Sequence, residues 1–300
     1  MPASWEEFEA LTRQAEQALR AGHAREALAP LEQAVAIARE LGDPIRTDKA
    51  RVNYAQALEA AGEHVRAEEG LLEILMRGRD DAVVLAASVT VARARKSRRD
   101  YAKALFYAEK ALAAARRIGT AAAAAPVLTL RANIRMNRNQ FREALEDYRS
   151  AASLYEGAGV GGYHLASALD NLGYCLVLVE EYDEGIPVLR RALEAAEKAG
   201  LARLVAETSQ DLCFGMLRRR SLRAAERHGR RALEVAEREG LETIRKNVLY
   251  LLGETCSLLG KDREADGYFA ELQKLFPGIR NLGQFLKAFD ISEMITLKEF

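Results

Sequence analysis

One phrase recurs seven times along the chain: GHAREAL at 22–28, GEHVRAE at 62–68, RDYAKAL at 99–105, NQFREAL at 139–145, EEYDEGI at 180–186, RSLRAAE at 220–226 and GKDREAD at 260–266. Its small residue falls at Ala27, Ala67, Ala104, Ala144, Gly185, Ala225 and Ala265, at intervals of 40, 37, 40, 41, 40 and 40 residues. A fixed period of this length excludes a single conventional globular core and requires stacked units of like structure.

Twelve residues before each of these positions lies a second small residue: Ala15, Ala55, Ala92, Ala132, Gly173, Cys213 and Gly253. A short polar or glycine-bearing turn separates the two. Each unit is therefore expected to be a pair of antiparallel helices whose small residues face each other and allow close backbone approach. Gly173 then serves packing, although glycine costs a helix interior roughly 1 kcal/mol relative to alanine. The second helices carry apolar residues at helical spacing, as Ile186, Leu189, Leu193 and Ala196, with charge on the other face. Ser4 and Glu7 have capping-box spacing and predict a first helix starting near residue 5.

Small residues paired across a turn and followed by a Y-x-E-A-L-like phrase resemble a tetratricopeptide repeat over nearly the whole chain. The usual period of that family is about 34 residues. The longer period here is similar to the extended repeats of kinesin light chains and of Rap and PlcR type peptide-sensing regulators. HEAT-like repeats are the rival of similar period, and the phasing of small residues favours the former. The phrase departs from the family where its aromatic is absent, at Ala24, Leu222 and Asp262. The resemblance implies an all-α, right-handed α-solenoid superhelix of seven helix pairs, at 4–43, 44–80, 81–120, 121–160, 161–200, 201–240 and 241–279. A C-terminal capping helix and tail would follow at 280–300, with Leu282, Phe285, Leu286 and Phe289 on its apolar face. Its last ten residues could alternatively dock on a partner.

The resemblance also implies that the first helices line a concave groove for an extended peptide or a partner's helix. Positions three before, one after and four after each small site share one side of the helix. They place Gln56, Arg93, Lys96, Asn133, Asp170, Tyr174, Gln210, Phe214, Tyr250 and Glu254 in that groove. Asn53 and Asn171, two residues before their small sites, resemble the asparagines with which extended repeats hold peptide backbones. The basic centre and aromatic C-terminal half would suit a ligand with a carboxylate followed by apolar side chains, although the aromatics could instead pack between repeats.

No other chemistry stands out. Cys175, Cys213 and Cys256 have no CxxC spacing and are expected as small buried fillers in a reducing compartment. The four histidines lack ligand spacing and are expected at the surface. No phosphate-loop, dinucleotide or nucleophile-elbow motif is present, so neither catalysis nor a cofactor nor a metal is expected. Lys plus Arg equals Asp plus Glu at 44 each, which provides no global field for nucleic acid or an anionic membrane. Basic clusters at 93–99 and 218–231 are separated by an acidic turn and predict solvated edges. With no basic leader and no long apolar window, the chain is expected in the cytoplasm. The expected function is a non-enzymatic peptide- or protein-binding scaffold; the alternative is a peptide-responsive regulator of the Rap/PlcR type without its own DNA-binding domain.

Overall fold

The computed structural model describes residues 3–78 and 80–276 together with Gly278, Asn281, Leu286, Leu297 and Lys298. Among them are fourteen α-helices, and the chain is an all-α array of helix pairs. It divides into two compact units, Met1–Asn139 and Gln140–Phe300. The first holds α1 (Trp5–Arg20), α2 (Leu28–Glu40), α3 (Pro44–Ala60), α4 (His64–Arg77), α5 (Asp81–Ser97), α6 (Tyr101–Ile118) and α7 (Ala121–Met136). The second holds α8 (Phe141–Gly157), α9 (Tyr163–Leu178), α10 (Tyr182–Lys198), α11 (Ala202–Arg218), α12 (Leu222–Arg238), α13 (Glu242–Leu258) and α14 (Asp262–Leu275). In each unit consecutive helices pack together, and first helices also touch the next first helix: α3 with α5 and α5 with α7, then α9 with α11 and α11 with α13.

Local chemistry sets the helix starts. The Ser4 hydroxyl accepts from the Glu7 amide at 3.2 Å, so the expected cap forms and α1 begins at Trp5. Asp43, Asp80 and Thr120 cap α3, α5 and α7 in the same way, each covering an amide that the helix itself leaves open. The turn inside each pair has one residue in the left-handed region: Gly22, Gly62, Arg99, Asn139, Glu180, Arg220 and Gly260. Every one lies five residues before the small site of the second helix, so the backbone repeats with the sequence period. Only three are glycine; the other four hold a side chain in a conformation that costs an L-residue about 1–2 kcal/mol.

The fourteen small sites are all buried. Ala15 packs in one cluster with Ala27, Ala55 with Ala67, and Ala92 with Ala104. At Gly173 a methyl group would stand 2.6 Å from Leu189 Cγ and 3.0 Å from the Leu189 amide nitrogen. One at Gly185 would meet the Gly173 carbonyl at 3.1 Å. The glycine therefore lets Leu189 of α10 seat against the α9 backbone, and burying such a leucine contributes roughly 1.5–3 kcal/mol.

Charges on the outer faces are answered by the neighbouring repeat. Arg149 pairs with Glu184 at 2.8 Å, Arg191 with Glu156, Arg231 with Glu197, and Lys261 with Glu226 at 2.7 Å. The separations of 34 or 35 residues match one repeat less about one helical turn. These four pairs link successive repeats. Of the expected terminal cap at 280–300, only Asn281, Leu286, Leu297 and Lys298 are described: Leu286 is buried, while Leu282, Phe285 and Phe289 lie outside the described residues.

Candidate functional site

The second unit carries a polar patch where buried side chains are least expected. Asp170 and Tyr174 are one turn apart on α9, Gln210 and Phe214 one turn apart on α11, and Asn247 and Tyr250 three residues apart on α13. These spacings put each pair on one face of its helix. Contact of α11 with both α9 and α13 brings the three faces together. Asp170 and Asp211 are each only 1% exposed, and Gln210 is 3% exposed.

Two residues far along the chain complete the patch. The Leu297 carbonyl accepts from Gln210 Nε2 at 3.3 Å and from Asn247 Nδ2 at 3.0 Å. Asn247 Nδ2 also donates to Gln210 Oε1 at 3.2 Å, and Gln210 Nε2 to Asp211 Oδ1 at 3.2 Å. Lys298 donates from Nζ to Asp170 Oδ2 and, at 3.2 Å, to Asp211 Oδ2. Its ammonium stands 5.7 Å from the centre of the Tyr174 ring, within cation–π range. Asp170 Oδ1 is buried without a hydrogen-bond partner.

Burial pushes the Asp211 carboxyl up to about 7; Asp170 raises it further and the Lys298 ammonium opposes. For Lys298 burial favours the neutral amine, yet Asp170 and Asp211 together outweigh that and hold it above the ordinary lysine range. Burial first, and Asp211 next, raise the Tyr174 phenol, while Lys298 and a hydrogen bond from the Leu297 backbone work against them. Two carboxylates sharing one cation in a dry site form a unit in which removing any member strands the others.

The twelve residues expected in the groove have different fates. Asp170, Asn171, Tyr174, Gln210, Phe214 and Tyr250 are all buried, and Glu254 is half-buried. The Tyr174 and Phe214 rings pack against each other with centroids 6.1 Å apart. Packing between adjacent repeats, the alternative open to these aromatics, thus accounts for much of their burial. In the first unit Gln56 and Arg93 are exposed, while Asn53, Lys96 and Asn133 are half-buried. Burial and the neighbouring Arg93 lower the Lys96 ammonium, with Glu59 opposing; these charges on α3 and α5 are therefore neighbours.

Sequence reasoning missed four members of the patch: Asp211, Asn247, Leu297 and Lys298. A signal existed for Asp211, which stands two residues before its small site as Asn53 and Asn171 do before theirs.

Other candidates resolve into structure. Glu226, Cys256 and Glu264 could bring ligand atoms within 4.8 Å of one another, but Lys261 Nζ donates to both Glu226 oxygens, at 2.7 and 2.8 Å, and Arg230 pairs with both glutamates. In the basic clusters Arg95 and Arg98 share Glu68, and Arg219 meets Asp183 at 2.7 Å. The three cysteines are free and buried as expected, and burial pushes the Cys213 thiol up to about 12. His23 and His164 are exposed, but His64 and His228 are half-buried and depart from the surface expectation. For His228, burial together with Arg227, Arg190 and Arg231 lowers the imidazole to about 4. A depression of about 440 Å³ between α3 and α4 is lined by paired charges, Arg51 with Glu73 among them at 3.1 Å. Among the described residues no helix is long and apolar enough to cross a membrane.

No protein-family model matches the sequence, and no curated protein matches it. Solved structures do match in fold. A Rap protein complexed with competence and sporulation factor aligns over 96% of this chain and 79% of its own, at TM-score 0.62 and 14% identity. A signal-transduction ATPase with numerous domains from Pyrococcus horikoshii, which carries a tetratricopeptide-repeat sensor, aligns over 93% of this chain and 44% of its own, at TM-score 0.77 and 15% identity. YrrB, a tetratricopeptide-repeat protein with an unusual peptide-binding site, aligns over 74% of this chain and all of its own, at TM-score 0.51 and 18% identity. The chain has the tetratricopeptide-repeat fold, with helix pairs similar to those of the Rap and kinesin light chain structures.

Proposed function

We propose that the chain is a non-enzymatic scaffold of a reducing, cytoplasmic compartment, and that it binds an extended peptide segment along the first-helix faces of α9, α11 and α13. The observation that carries this reading is the reception of one main-chain carbonyl, that of Leu297, by two side-chain amides from different helices. A backbone held this way is recognised whatever its side chain, which is the requirement for reading extended chains. The buried amides must be satisfied in any state, because an unpaired polar group there costs about 1–3 kcal/mol. Two similar folds support the reading: the Rap structure holds competence and sporulation factor, and YrrB has a peptide-binding site.

A peptide array tests the proposal. Eight-residue extended peptides captured by the chain, native or carrying Lys298→Glu, should be lost from a folded Gln210→Ala/Asn247→Ala variant. Capture that survives both alanines would contradict it. The regulator alternative predicts in addition a change in radius of gyration when a captured peptide is added, whereas a static scaffold keeps its shape.

A further inference from the structure

The same face already holds two residues from far along the chain itself, Leu297 and Lys298. Leu297 lies 87 residues from Gln210 and 50 from Asn247, and Lys298 lies 128 residues from Asp170. The contact is therefore a docking event between distant parts of one chain. It uses both kinds of recognition an external peptide would need. The amides of Gln210 and Asn247 take the backbone, and Asp170, Asp211 and the Tyr174 ring take the side chain that follows. We propose that Asp170, Asp211 and Tyr174 form a subsite for a basic side chain, occupied by the chain's own Lys298, and that extended peptides carrying lysine or arginine bind by displacing this internal ligand. The inference rests on the scaffold reading above and adds the ligand class and its regulation.

Three features of the subsite favour a cation over any other side chain. Both carboxylates are almost completely buried, and an uncompensated carboxylate in that setting is costly. The face of the Tyr174 ring supplies negative potential on a third side. Among the described residues, the cation paired with Asp170 and Asp211 is the Lys298 ammonium. The bare Oδ1 of Asp170 explains how an external ligand can win. Lys298 engages Oδ2 of each aspartate and leaves Oδ1 of Asp170 unmatched. A guanidinium, whose planar fork spans two carboxylate oxygens, would satisfy both. The tethered tail, for its part, acts at an effective concentration on the order of millimolar, which weakens every competing peptide by the fraction of chains with the site open.

The test uses a fluorescein-labelled synthetic peptide of residues 294–300, Met-Ile-Thr-Leu-Lys-Glu-Phe, and two analogues with Arg or Glu in place of its Lys. Binding is followed by fluorescence anisotropy on the full-length native chain and on Lys298→Glu, in which the tail is repelled from the two aspartates. The Lys and Arg peptides should bind Lys298→Glu at least about tenfold more tightly than the native chain, and the Glu peptide should bind neither. Equal affinity for the two chains would overturn the internal-ligand claim. Equal affinity of the Lys and Glu peptides for Lys298→Glu would overturn the basic subsite. Both outcomes still leave the peptide bound, so they sink this inference without touching the scaffold reading, which is judged by the two amides.

Discussion

Replacing Lys298 with methionine keeps most of the side chain's length and apolar contact and removes its charge. In the native fold the ammonium sits 3.2 Å from Asp211 Oδ2 and also pairs with Asp170, and its side chain is only 15% exposed. At an effective dielectric of about 20, a unit pair at that distance attracts by roughly 5 kcal/mol, most of which offsets the desolvation of the groups. Removing one partner of such a buried pair costs roughly 3–5 kcal/mol because the other charge is stranded. Release of the tail rehydrates the aspartates, so the lower end, about 3 kcal/mol, is expected at pH 8.

The deficit must also depend on pH. Asp211 is raised to about 7 in the fold, against an ordinary value of 3.8, so its ionised form disfavours folding above the unfolded value, and Lys298 offsets that cost. Asp170 and Tyr174 on α9 and Glu207 on α11 contribute to the same local field. As pH falls through about 7, Asp211 takes up a proton and the share of the deficit owed to it disappears, leaving roughly half. Urea unfolding of the native and Lys298→Met chains at pH 8 and pH 5.5, followed by far-UV circular dichroism, reads both numbers. Equal stability at pH 8, or a deficit that does not shrink at pH 5.5, would refute the coupling of tail and carboxylates.

Two further perturbations test how the repeat is built. Gly173→Ala places a methyl 2.6 Å from Leu189 Cγ and should cost about 1–3 kcal/mol through overpacking. Gly70→Ala, where nothing lies within 4 Å of the new methyl, should stabilise by roughly 0.5–1 kcal/mol; urea unfolding that ranks the two alike would contradict the close-approach account. Arg220, exposed with φ at 63°, should gain about 0.5–1 kcal/mol on replacement by glycine, and a lowered thermal midpoint would show that its turn is not strained.

Much of this was legible from the residues because the fold is written in short-range terms. Small residues twelve apart, a turn of fixed length and a repeating apolar face specify each helix pair without reference to distant parts of the chain. Gly173 could be read as a packing residue for that reason, and Leu189 against its backbone is the contact that makes it one. The candidate site was legible only as a stripe. Helical phasing put Asp170, Tyr174, Gln210, Phe214 and Tyr250 on one side of their helices, but phasing cannot distinguish an open face from one that is covered. The Tyr174 and Phe214 rings pack against each other, and Lys298 pairs with the aspartates. Asn247 was missed because it lies a turn ahead of the stripe on α13. Lys298 was missed because a contact across 128 residues leaves no trace in a local pattern. The ligand expected from the aromatic half was apolar, whereas the polar groups that face the docked segment there are carboxylates and amides, which suit a backbone and a cation.

The central claim, that α9, α11 and α13 together hold an extended chain by its backbone, is tested most directly by one affinity comparison. The labelled 294–300 peptide is titrated against full-length Lys298→Glu with and without Gln210→Ala and Asn247→Ala. Loss of two hydrogen bonds to one carbonyl, each contributing roughly 0.5–1.5 kcal/mol, predicts a Kd weakened about tenfold or more while the circular dichroism spectrum is unchanged. An affinity that stays within a factor of two would contradict the account.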